Sequence, residues 1–296
     1  MSDVVIVTKN LTKYYGKHRG VEGLDIEVKK GEVFGYLGPN GAGKTTTIRL
    51  LLDFIRSSAG SAKIFGLDSR ADSVKIKRQV GYLPGELHLY ENLTGVGLLK
   101  FLASLRGRVD WEFIEQLAGR LKANLSQKIK SMSHGNRQKI GIIAAFMHRP
   151  KLLILDEPTA GLDPLMQHEF YHLVEGIKRA GNTVFMSSHI MPEVEKICDR
   201  VGFIRDGQLV EVQDVETLKE RAPRPLEVLF AKPVSLKDFE AVVGVKDIKI
   251  EGAILRCTVI GSLDSFVKKI AEFEVVNIAS QEPNLEDIFM TYYGEQ

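Results

Sequence analysis

The stretch GPNGAGKTTT, residues 38–47, constrains this chain more than any other. Its glycines let the backbone curl so that successive N–H groups converge on one point. The apolar run EVFGYLG (32–38) leads into it, and TTTIRLLLDFI (45–55) reads as the helix that follows. The helix N-terminus then faces the same point, where its dipole favours an anion. A strand, a glycine loop and a helix in this order make a cradle for nucleotide phosphates, and the bland alternative, a Gly-rich turn before a helix, does not require those flanks. The residues set against the nucleotide are Gly38, Pro39, Asn40, Gly41, Ala42, Gly43, Lys44, Thr45 and Thr46. Lys44 has the reach for the outer phosphates, and the Thr45 hydroxyl suits Mg²⁺.

Strand-like runs alternate with helical patterns up to about residue 222, which predicts an α/β fold with a parallel sheet covered by helices. KLLILDEP (151–158) and NTVFMSSH (182–189) are two further buried strands of that sheet. Residues 94–148 interrupt the alternation with three helices, over 94–105, 110–123 and 135–148. Two prolines in RAPRPLEV (221–228) suggest a linker. The order beyond it reads strand 226–231, helix 235–242, strands 246–250 and 253–259, helix 262–272, strand 274–280, helix 284–293. That order resembles a split βαβ, ferredoxin-like unit. Two domains are expected, 1–222 with a helical subdomain over about 86–148, and 223–296.

Composition narrows the partners. With 44% hydrophobic residues among 296, a packed core is available, and a net charge of +2 is too balanced to argue for a nucleic-acid or anionic-membrane surface, so no nucleic acid is expected. Cys198 and Cys257 stand far apart with no metal-ligand spacing, as in a reducing compartment. The start MSDVVIVTKN lacks the pattern of a signal peptide, and no apolar run approaches the length of a membrane span.

Four apolar residues in KLLILDEP deliver Asp156 and Glu157 to a strand's C-terminal end, where open α/β sheets bind ligands. Asp156 is suited to holding Mg²⁺, and Glu157 to polarising an attacking water, a contribution of about 10²–10⁴ in rate. His189 ends the next strand and is placed to point at a γ-phosphate, although a lone histidine is more often structural. Ser133 caps a helix whose N-terminus is offered to an anion.

The string Ser133-His134-Gly135-Asn136-Arg137-Gln138, about twenty residues before LLILDE, resembles the signature motif of ABC-type ATPases, usually LSGGQ. GPNGAGKT resembles that family's Walker A motif, LLILDE its Walker B, PTAGLDP (158–164) its D-loop with Asp163 as the acid, and His189 its switch histidine. Tyr15, in KYYGK, resembles the aromatic that stacks on adenine. The resemblance covers residues 1–215 and implies a P-loop NTPase (RecA-like) core with an antiparallel β edge and a helical subdomain, to which the pattern beyond residue 222 adds a small C-terminal α+β domain. It implies an ATP- and Mg²⁺-dependent ATPase working as a head-to-tail homodimer, in which Ser133, Gly135 and Asn136 of one copy contact the γ-phosphate held by the other. It also implies separate transmembrane permease subunits and a peripheral location on the cytoplasmic side of the membrane, with residues 87–105 near the permease contact.

Two departures stand out. His134, Asn136 and Met132 replace the signature's first glycine, glutamine and leucine, while Gly135 is kept. In GYLPGELHLY (81–90), Gly85 stands where the family carries the Q-loop glutamine, with Glu86 next. The segments 51–66 and 198–213 and the ending EPNLEDIFMTYYGEQ resemble ATPase subunits of the ABC-2 exporter group. The competing readings are a soluble ABC ATPase acting on ribosomes or DNA, and a small-molecule kinase. The first expects a second phosphate loop or a long coiled coil, and the second leaves the signature-like stretch unused.

Overall fold

The computed structural model describes residues 4–107 and 109–280. The chain divides into two compact units between Val212 and Gln213, ten residues ahead of the expected boundary at 222/223.

In the first unit, β1 (Val4–Tyr15), β2 (His18–Leu24) and β3 (Glu27–Lys29) precede β4 (Val33–Leu37), which runs into α1 (Lys44–Leu51). Next come β5 (Ala59–Ile64), β6 (Leu67–Asp68), α2 (Ser73–Lys77) and β7 (Val80–Leu83). Three helices follow, α3 (Gly95–Arg106), α4 (Trp111–Arg120) and α5 (His134–Phe146). The chain then returns through β8 (Leu152–Asp156), α6 (Pro164–Arg179), β9 (Thr183–Ser188), α7 (Met191–Ile197), β10 (Arg200–Arg205) and β11 (Gln208–Asp214).

Two sheets result. One runs β2-β1-β5-β6 with β3 also on β1, and its pairings are antiparallel. The other runs β11-β10-β4-β9-β8-β7, parallel from β10 to β7. Strands β4, β8 and β9 are buried at every position, as expected when both faces of a parallel sheet are covered. A continuous apolar core joins Ile6, Leu24 and Ile64 of the antiparallel sheet to Ile48 of α1 and to Phe34, Ile154 and Phe185 of the parallel one.

Helix starts follow local chemistry. Thr94, Asp110, Ser133 and Asp163 each accept a backbone N–H from the first turn of α3, α4, α5 and α6, and Pro164 occupies the first turn of α6. The helix expected over 45–55 stops at Leu51. Asp53 turns left-handed (φ 53°), its N–H donates to the Leu50 carbonyl and that of Phe54 to the Arg49 carbonyl, which closes the helix.

The second unit contains α8 (Val215–Arg221), β12 (Arg224–Phe230), β13 (Val245–Glu251), β14 (Ile254–Val259), α9 (Asp264–Ile270) and β15 (Val275–Ser280). Its sheet runs β13-β14-β12-β15 with antiparallel neighbours, over a core of Leu226, Val228, Phe230, Leu255 and Phe266. The prolines of 221–228 do not form a linker, since Pro225 already pairs with Thr258 within β12. The helix expected over 235–242 is a single 3₁₀ turn, Leu236–Asp238. Ser235 and Asp238 cap that turn reciprocally, and Phe239 then rotates fully into the core, which ends it. The helix expected at 284–293 and the ending EPNLEDIFMTYYGEQ lie outside the described residues. Among the described residues no helix is long and apolar enough to cross a membrane.

Candidate active site at the ends of three adjacent strands

Strands β4, β9 and β8 are neighbours and run the same way, so the loops leaving their C-terminal ends emerge side by side. After β4 comes the phosphate loop. Gly38 and Gly43 are required there: a Cβ on Gly38 would lie 2.4 Å from the Ile204 carbonyl oxygen, and Gly43 adopts φ 107° with the Gly20 carbonyl 2.8 Å from where a Cβ would sit. The Lys44 ammonium, almost wholly buried, donates to the carbonyls of Gly38 (2.6 Å) and Pro39 (3.2 Å) and pairs with Glu157 Oε1 at 3.2 Å.

The acids of the β8 end meet this loop directly. Thr45 Oγ1 donates to Asp156 Oδ2 (2.8 Å), while Ser187 Oγ donates to Asp156 Oδ1 (2.5 Å), so the buried carboxylate is held at both oxygens. Glu157 departs from the strand with a left-handed backbone (φ 49°). A non-glycine residue in that conformation costs roughly 1–3 kcal/mol and persists where its surroundings impose it. Here its N–H donates to Ser187 Oγ (3.1 Å), and its carboxylate bridges two partners. One is Lys44. The other is His189 Nδ1, 2.7 Å from Glu157 Oε2, a distance at which the ring N–H donates to the carboxylate. A cleft of about 390 Å³ opens over these groups, lined by Asn40, Thr45, Gly85, Glu86, Asp156, Glu157 and His189. Gly85 faces Asp156, with Oδ2 3.3 Å from where a Cβ would stand, and Glu86 is solvent-exposed. Tyr82 also lines the cleft, and burial, then the Asp156 charge, push its phenol up to about 12.

Ser133, Gly135, Asn136, Asp163 and Tyr15 do not line this cleft. Tyr15 is exposed at the end of β1, with the Lys13 ammonium 5.2 Å from its ring centre. Ser133 is exposed at the N-cap of α5, where its hydroxyl accepts the Asn136 N–H (3.2 Å). The Asn136 side chain ties back to Asn124, accepting its N–H and donating to its carbonyl. Asp163 caps α6 through the Met166 N–H. The α5 start nonetheless packs on the turn after β8. Buried Gln138 donates to the Pro158 carbonyl (2.8 Å), and Gly135 approaches Gly161 so closely that a Cβ would lie 2.7 Å from its carbonyl oxygen.

Sequence reasoning passed over Ser187, Ser188 and Thr159. The available signal was the pair of hydroxyls closing an otherwise apolar buried strand, TVFMSS.

A phosphate loop, a hydroxyl–carboxylate pair and a carboxylate–histidine pair gathered at the C-terminal edge of a parallel sheet define a phosphate-loop nucleotide hydrolase. Comparison with known proteins narrows this class. The ABC transporter family profile matches residues 21–160. The bacitracin transport ATP-binding protein BcrA of Bacillus licheniformis is 35% identical over 299 residues, 98% of this chain and 97% of the relative. The linearmycin resistance ATP-binding protein LnrL of Bacillus subtilis (strain 168) is 32% identical over 306 residues, 98% of each chain. The solved structure of an ATP-binding subunit of an ABC transporter superposes with a TM-score of 0.67 at 29% identity, over 73% of this chain and 92% of that one. A dimeric bacterial ABC transporter cassette shares the fold, with a TM-score of 0.66 at 20% identity over 71% of this chain and 98% of the other. The chain belongs to the ABC transporter ATP-binding proteins. It is an ATP-binding, ATP-hydrolysing subunit of an ABC transporter.

Proposed function

We propose that the chain drives export across a membrane as one of two identical ATPase subunits, seated on the cytoplasmic side against separate permease subunits. The observation that carries the catalytic part of this reading is the Glu157 carboxylate, held between Lys44 and His189 above the Thr45–Asp156 pair. Converging backbone N–H groups of residues 38–46 bind the phosphates, Lys44 neutralises the outer ones, and the exposed ring of Tyr15 stacks on adenine. Thr45 Oγ1 and Asp156 Oδ2, hard oxygen donors 2.8 Å apart, fit Mg²⁺, the Asp156 side through water. Mg²⁺ bound there supplies neutralisation of charge on the phosphates. Glu157 accepts a proton from the attacking water, and His189 orients the γ-phosphate while holding Glu157 in place. Gly85, where the family carries glutamine, leaves the space beside Asp156 open, and Glu86 stands next to it as a further oxygen ligand on the water side.

Ser133, Gly135 and Asn136, turned away from their own chain's cleft, contact the γ-phosphate held by a second copy, with Asp163 close to the same junction. ATP then joins two copies head to tail, hydrolysis releases them, and the motion passes to the permease. The near full-length likeness to transport and resistance ATP-binding proteins supports the export assignment.

The test is Glu157→Gln. The variant binds ATP with unchanged affinity, loses about 10²–10⁴ in turnover, and accumulates as an ATP-bound dimer in size-exclusion chromatography with light scattering. A monomer with full turnover would overturn the role of Glu157.

A further inference from the structure

We propose that Glu193 is a positioning residue that sets the Glu157–His189 pair by clamping the two chain segments that carry it. Glu193, in the first turn of α7, is 3% exposed. Its Oε2 accepts a hydrogen bond from Ser188 Oγ at 2.6 Å, and the carboxyl group lies within reach of the Thr159 hydroxyl. Ser188 is the residue before His189, and Thr159 comes two residues after Glu157. One buried carboxyl group is therefore fastened to the His189 arm of the pair and reaches the Glu157 arm at Thr159.

The local turn adds to the clamp. Ser188 Oγ also accepts the Ile190 N–H (3.0 Å), so the backbone on either side of His189 is tied to the hydroxyl that Glu193 holds. Thr159 is itself buried and belongs to the turn whose Pro158 carbonyl receives Gln138 of α5. The clamp is thus continuous with the start of the helix that carries Ser133 and Gly135. Burial pushes the Glu193 carboxyl up, and the two hydroxyls pull it down. A carboxyl group in such a place is costly to desolvate as a charge, and an apolar residue of similar size would fill the space without that cost. What the apolar residue cannot do is hold both hydroxyls, and misplacing a catalytic pair by about 1 Å can cost on the order of 10²-fold in rate.

This inference rests on the ATPase reading of the Glu157–His189 site. The experiment is steady-state ATP hydrolysis, ATP-analogue binding and thermal melting on the full chain carrying Glu193→Leu or Glu193→Gln. Leucine lowers kcat by about tenfold or more, with KM and the analogue's Kd within about twofold. Glutamine, whose amide oxygen still accepts, recovers to within about threefold of wild type. Wild-type kcat in Glu193→Leu, or loss of kcat, binding and melting temperature together, overturns the clamp, as does a Glu193→Gln as slow as the leucine variant. If Glu193→Leu does not fold, Thr159→Val and Ser188→Ala replace it: each lowers kcat alone, and their combination falls short of the sum of the two effects. Unchanged kcat in both overturns the proposal. An inert Glu157→Gln beside an unaffected Glu193→Leu removes the clamp alone, whereas an active Glu157→Gln removes the reading beneath it.

Discussion

The phosphate-loop cleft and the start of α5 are both anion-seeking structures, and they are built in opposite ways. In the cleft, polar groups answer one another across three strands: Lys44 to Glu157, Thr45 to Asp156, Ser187 to Asp156, His189 to Glu157. At α5, Ser133 and Asn136 are satisfied only locally, by the first turn and by Asn124, and Ser133 faces solvent. The cleft therefore has the wiring for chemistry, while the α5 start has a fixed shape and nothing in its own chain to act on. On the proposed reading a second molecule finishes the site, and its parts should fail differently.

The largest expected difference comes from cutting each half in turn. Lys44→Ala removes the buried cation and weakens ATP binding by about 2 kcal/mol or more, some thirtyfold in Kd by calorimetry. Gly135→Val drives a side chain into the Gly161 carbonyl. It leaves ATP binding by the isolated chain intact and lowers turnover by about 10²-fold, comparable to losing one backbone donor at a developing charge. Mixing the two inactive variants sharpens the contrast. Half of the dimers in an equal mixture are mixed, each with one whole composite site of two, so about a quarter of wild-type turnover returns. A mixture as dead as its parts would place the complete site within one chain.

A smaller effect separates the site from the fold beneath it. Burial holds His148, at the end of α5, down to about 4, with the Arg106 charge adding to the shift. In the unfolded chain the same ring titrates near 6.5. Its contribution is therefore complete above pH 6.5 and is lost as pH falls toward 4, on the order of 1 kcal/mol after solvent screening. Melting between pH 7 and pH 5 should flatten in His148→Gln. Any acid loss of turnover that disappears with it belongs to the fold and not to either half of the site. An effect of similar size on the fold comes from Ser133→Ala, which removes the cap of α5 and costs about 1 kcal/mol in chemical denaturation, leaving ATP binding by the isolated chain unchanged.

The fold was legible where burial sets the pattern. Apolar runs such as VFGYL and LLIL admit few roles besides central parallel strands, and each leads into residues that meet in the cleft. The placement of Lys44, Thr45, Asp156, Glu157 and His189 together follows from the adjacency of β4, β9 and β8, an order that the alternating pattern alone did not give. Legibility failed where tertiary contacts overrule local preference. Phe239 reads as one turn of an amphipathic helix, but the sheet beneath it takes the ring after a single 3₁₀ turn. Ser187 and Ser188 look like ordinary strand residues, and only the distances to Asp156 and Glu193 reveal their polar work. The left-handed twist at Glu157 had no local signal at all, since neither glycine nor asparagine marks it.

That twist sets selection for robustness against selection for turnover at one position. Glycine and asparagine are the residues most at ease in such a conformation, and neither carries an acid. A laboratory search for heat-tolerant variants of this chain should keep arriving at position 157, and each variant that it favours there should still bind ATP and, on the role proposed for Glu157, no longer spend it.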